Sequence, residues 1–123
     1  MKKPSDPRHQ KRIKIIKELF ALSFLLQKIK EEKTKKILSN LSKIDKFISE
    51  AAPLWPIEKI NKIDLAILRL AVYELTIEKT EPLKVVIDEA VELAKEFGNE
   101  QSSSFINGVL GSIVKHGNDR KKG

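Results

Sequence analysis

The sequence predicts an all-α fold arranged as two helical halves, and three observations carry that prediction. Apolar residues recur at spacings of three to five along most of the chain, which gathers them on one stripe of a helix. Only five glycines and five prolines punctuate its 123 residues. No stretch alternates apolar and polar residues in the way a half-buried strand requires.

The elements follow in chain order. Residues 8–31 place Ile13, Ile16, Phe20, Phe24 and Ile29 on one stripe, widened by Leu19 and Leu26, so this segment reads as an amphipathic helix with basic first turns. Residues 33–50 repeat the pattern with Ile37, Leu41, Ile44 and Ile48. In AAPLWPIEK, Pro53 and Pro56 break the pattern, which makes the segment a linker between the halves. Trp55 inside it is expected as a packed anchor.

From 57 to 78 the chain is apolar on nearly all sides, the mark of a buried helix. Arg69 within it must find a carboxylate, for which Glu74 and Glu89 are the candidates. Pro82 suits the opening of the next helix, 82–97, which Gly98 stops. A last helix starts among the capping residues Asn99 to Ser102 and continues to about 115. The count is therefore five to seven helices in one domain, residues 8–50 and 57–115, with flexible tails expected at 1–7 and 116–123.

Composition narrows the function. With 41% hydrophobic and 33% charged residues the chain is rich enough in apolar side chains to build a core. It has no cysteine, so thiolate and disulfide chemistry are excluded. The N-terminus is too polar for a signal peptide and no apolar run reaches the length of a membrane span, which predicts a cytoplasmic protein without membrane contact. The net charge of +7 is uneven: residues 1–46 carry fourteen Lys or Arg against five acids, residues 47–123 ten against twelve. A basic block of this kind attracts phosphates through counterion release, or serves as a solvated face.

Catalytic constellations are missing. His9 and His116 stand near the termini with no partner at metal-ligand spacing, and Ser102 to Ser104 fit helix capping better than nucleophilic chemistry. No glycine-rich phosphate loop is present. The expectation is a binding protein without enzymatic activity, metal or cofactor.

Three consecutive motifs in the second half carry a resemblance. ILRLAVYEL at 67–75, PLKVVIDEAVELAKEFG at 82–98 and Ser102-x-x-Phe-Ile-Asn-Gly-Val-Leu to Leu110 closely resemble the C-terminal half of the NusB family of bacterial antitermination factors. RIKIIKELFAL at 12–22 looks like the family's basic first helix, with Phe20 where an aromatic is typical. The resemblance implies a fold of two small helical sub-bundles with a shortened middle region between residues 30 and 56. It also implies a role in ribosomal RNA transcription, within the elongation complex, as a complex with the ribosomal protein NusE on single-stranded boxA-like RNA.

Carried over by matching positions, the RNA contacts would be Arg8, Lys11 and Arg12 on the first helix, Asp64 on the central helix, and Phe97, Gln101 and Phe105 near the last turn. Gln101 stands where the family commonly has Asp, and Leu83 where it has an aromatic. A basic helix beside an aromatic suits RNA, since charge holds phosphates and a ring stacks an unpaired base. Asn107-Gly108 is expected to serve architecture, Gly108 by allowing close helix approach and Asn107 by bonding to a neighbouring element. The competing reading is a helical protein-interaction module, NusE-binding or homodimeric, whose basic helix is only solvated. The two separate on whether Arg12 and Phe105 share one exposed basic surface.

Overall fold

The computed structural model describes residues 6–122, the segment 117–122 by its backbone alone. Six α-helices form the fold, and no strand occurs among the described residues: α1 (Pro7–Leu22), α2 (Glu32–Ser39), α3 (Leu41–Ala51), α4 (Lys62–Tyr73), α5 (Leu83–Phe97) and α6 (Ser102–Lys122). Of the expected tails, residues 1–5 and 123 lie outside the described residues. Asp6 caps α1 by accepting the Arg8 N–H at 2.9 Å, Pro7 opens the helix, and the backbone of α6 is helical to Lys122.

The first predicted helix stops nine residues early, and the following segment 24–31 is not helical. The cause lies in Glu18, whose carboxylate accepts the N–H groups of Lys30 at 2.8 Å and Glu31 at 3.3 Å and the Thr34 hydroxyl at 2.7 Å. Glu31 makes no capping bond of its own, so Glu18 caps α2 from a distance, and a negative charge at that end suits the helix dipole. The second predicted helix is divided at Asn40, whose side chain donates to the Lys36 carbonyl at 2.7 Å and ends α2 before α3 begins.

The predicted 57–78 helix contains a single 3₁₀ turn at Ile57–Lys59, then α4, capped by Asn61, then a π-helical turn at Glu74–Glu78. Lys79 closes that turn in the left-handed region, φ 54°, and donates its N–H to the Glu74 carbonyl at 2.9 Å. Every residue from Asp64 to Leu75 except Arg69 is buried. α4 packs against α1, α2 and α3 on one side and α5 and α6 on the other, and one continuous core joins the two halves.

Arg69 pairs with neither expected carboxylate. Its guanidinium grips Asp45 of α3 through two bonds of 3.0 and 2.9 Å, because this face of α4 turns toward α3. The α5–α6 junction is tight. A Cβ on Gly98 would come within 2.4 Å of Ser102 Oγ and 2.8 Å of the Ala94 carbonyl, so this is the glycine that close approach demands. Gly108, expected in that role, has nothing within 4 Å of where a Cβ would stand, and it and Asn107 lie on the exposed side of α6.

Candidate functional site

The N-terminal helix divides its cations between two environments. Arg8, Lys11, Lys14 and Lys17 are exposed at three-residue intervals. Among the described residues Arg8 pairs with Glu81 at 3.3 Å and Lys11 with Glu31 at 2.9 Å, each through an exposed cation. Pairs of that kind are worth about 0–1 kcal/mol and are readily exchanged for a phosphate. Lys11 holds the Glu31 carboxyl below its ordinary range.

Arg12, one turn beyond Arg8, faces inward and is 4% exposed. Its guanidinium donates to both Glu74 oxygens at 2.8–3.2 Å, to Glu81, and lies 3.5 Å from Glu89. Lys33 completes the cluster against Glu74 and Glu78. Glu74, where the π-helical turn begins, lies on the inward side below α1 at 2% exposure. The expectation of Arg12 on an exposed basic surface shared with Phe105 is therefore not met: its side chain is occupied in joining α1 to the α4–α5 region.

His9 sits in the same inward row, with Nδ1 3.0 Å from Glu89 and Nε2 3.2 Å from Glu96. Hydrogen bonding to Glu89 raises its pKa against the opposing effect of burial, with the Glu89 and Glu96 charges adding to the rise. Sequence reasoning passed over this histidine because its partners lie 80 and 87 residues away. Among the described residues no group of three or more His, Asp or Glu side chains is arranged to hold a metal ion.

At the other end of the basic row Lys17 stands over the Phe97 ring, 5.9 Å from its centroid, a distance at which the ring face attracts a cation. This contact links α1 to the α5–α6 junction. There, Gln101 is exposed at the start of α6, and Asn99 and Ser102 cap the helix reciprocally. Asp64 of α4 lies behind that cap at 6% exposure, one carboxylate oxygen without a hydrogen-bond partner. Burial pushes its carboxyl up and a bond with Ser102 partly offsets the shift. Phe105 is half-buried and meets Trp55 edge to face at 5.9 Å. Trp55 is 52% exposed, so the linker tryptophan is no packed core anchor.

The structure thus brings Phe97, Gln101 and Phe105 together around one junction and ties it to the outer face of α1 through Lys17. It buries Arg12 and Asp64 beneath that surface. Arg8, Lys11, Lys14 and Lys17 offer cations, the rings offer stacking surface, and Gln101 offers an amide: an arrangement suited to binding a polyanion that carries flat groups.

Known proteins share both sequence and fold with this chain. The transcription antitermination protein NusB of Roseiflexus castenholzii is 51% identical over 82 residues, 65% of this chain and 58% of its own length, so the chain spans a little over half of that curated relative. The crystal structure of NusB from Thermotoga maritima superposes with a TM-score of 0.76 at 36% identity, covering 89% of this chain and 92% of that one. A structure of the antitermination factors NusB and NusE in complex with dsRNA shares the fold, with a TM-score of 0.76 at 22% identity over 90% of this chain and 99% of that one. Residues 9–115 match the NusB family profile, and with that span the chain belongs to the NusB family.

Proposed function

We propose that this protein is an RNA-binding transcription antitermination factor that acts in the cytoplasm, with NusE and the elongation complex, on boxA-like single-stranded RNA in ribosomal RNA transcription. It binds and does not catalyse. The observation that carries the reading is the run of exposed cations that winds about half-way round α1 from Arg8 through Lys11 and Lys14 to Lys17, which stands over the Phe97 ring. Phosphates of a strand along that run displace counterions from it, and Phe97, Gln101 and Phe105 meet the bases. Arg12 and Asp64 act from below, Arg12 by fixing the tilt of α1 and Asp64 by supporting the start of α6.

The antitermination role of the named relatives supports this reading, as does a fold shared with a NusB–NusE–RNA assembly. A second reading, a NusE-binding or homodimeric interaction module, is favoured by one observation: Phe24, Leu25 and Leu26 are exposed in sequence at the end of α1. The readings part in one experiment. Fluorescence anisotropy of a labelled boxA-like single strand, titrated with this protein at rising NusE, is expected to show affinity increasing with NusE, because two surfaces then hold one strand. Affinity independent of NusE, or preference for a duplex of the same sequence, overturns the proposal.

A further inference from the structure

The Pro53–Pro56 linker contains an exposed aromatic feature that the α1 surface does not use. Leu54 is 88% and Trp55 52% exposed, yet the segment is firmly held. Pro53 and Pro56 fix the backbone on either side of the tryptophan. The backbone N–H of Trp55 donates to the carbonyl of buried Ala52 at 3.0 Å, and the backbone N–H of Lys59 to that of Pro56 at 2.9 Å. The backbone that carries the indole is therefore set in advance, and little of its conformational entropy is left to lose when something docks there.

We propose that Trp55 and Phe105 form a stacking platform for one unpaired nucleobase of the bound RNA, with Trp55 supplying the open face. The proposal rests on the RNA-binding reading above and adds a residue to it. The two rings meet at 71°, and an edge-to-face pair leaves ring surface uncovered for a third flat group.

The surroundings fit a base better than a protein side chain. On α6, Gln101, Ser104, Phe105 and Gly108 fall on one helical stripe. Gln101 and Ser104 are exposed and carry the amide and hydroxyl that hydrogen-bond base edges. Gly108 leaves open space where any other residue would place a Cβ. A glycine at an exposed position within α6 thus keeps the place beyond Phe105 clear. Exposed Lys59, four residues after Trp55, offers a cation for the adjoining phosphate.

Trp55 is the sole tryptophan, so its emission reports on this spot alone. The full chain is titrated with a boxA-like single strand and with the matching duplex, while anisotropy of a labelled strand follows binding independently. The expected result is quenching of Trp55 that saturates together with the anisotropy, and no quenching by the duplex, whose bases are already stacked. Trp55→Ala should weaken single-strand binding roughly 5- to 150-fold with an unchanged salt slope, and Trp55→Phe should retain most of the affinity. Circular dichroism confirms that each variant is folded.

Unquenched emission in a parent protein that binds the strand, with Trp55→Phe and Trp55→Ala both binding like the parent, overturns the platform and leaves the RNA reading standing. Failure of the parent to bind any single strand removes both. An emission shift that follows protein concentration without RNA marks contact between two copies and also overturns the platform.

Discussion

Two arginines on the same side of α1, both reaching Glu81, meet opposite environments. Arg8 and Arg12 lie one turn apart, yet their side chains are 72% and 5% exposed. Among the described residues the outer cation pairs with Glu81 at 3.3 Å and stays hydrated, whereas the inner one is enclosed by three carboxylates, from the π-helical turn, the loop after it and α5. A buried ion pair is costly to assemble and more costly to halve, because removing one member leaves the other charged and dry. An exposed pair is nearly neutral for stability. The same helix can therefore be anchored through Arg12 while its exposed cations stay available for a ligand.

The most disruptive test of this division is Arg12→Ala. It takes the guanidinium away from Glu74 and Glu89, both 2% exposed, leaving Lys33 and His9 beside them, and is expected to cost about 3–5 kcal/mol in denaturant unfolding. A loss below about 1 kcal/mol would mean that the inner face is not an anchor.

Arg8→Ala should do the reverse. Stability is expected to change by less than about 0.5 kcal/mol, while affinity for single-stranded RNA falls and the log–log salt slope flattens by about 0.7. An unchanged slope would remove Arg8 from the phosphate contacts.

The smallest effect sharpens the inner face. Because Glu89 and Glu96 raise the His9 pKa in the folded state, the protonated imidazole stabilises the fold fully below the ordinary value of about 6.5. That contribution is lost as pH rises through the folded-state value. Arg12, which also faces Glu89, stays charged throughout this window. The melting temperature of the parent should therefore drop across this range, and that of His9→Gln should drop less; parallel curves would show that His9 does not titrate against these carboxylates.

Local pattern was enough to identify much of the architecture. The apolar stripes at 33–50, 57–78, 82–97 and 102–115 all lie in helical segments of the fold, and Asn99, Ser102, Pro82 and Gly98 mark the ends where caps and breakers should act. These features depend on neighbours within a few residues, which is the distance over which a sequence speaks directly. The family resemblance was likewise legible, since its motifs are contiguous.

What the tertiary structure decided depends on partners far apart in the chain. Glu18 ended the first helix early by capturing N–H groups 12 and 13 residues on. Arg69 took Asp45, 24 residues back, because α4 turns that face toward α3. Arg12 is held inward by Glu74, 62 residues on, and Trp55 meets Phe105 edge to face while staying half exposed. Composition fixes how many charges and rings the chain holds, but a charge is buried only where opposite charges converge on it, and that convergence exists only once the helices have packed.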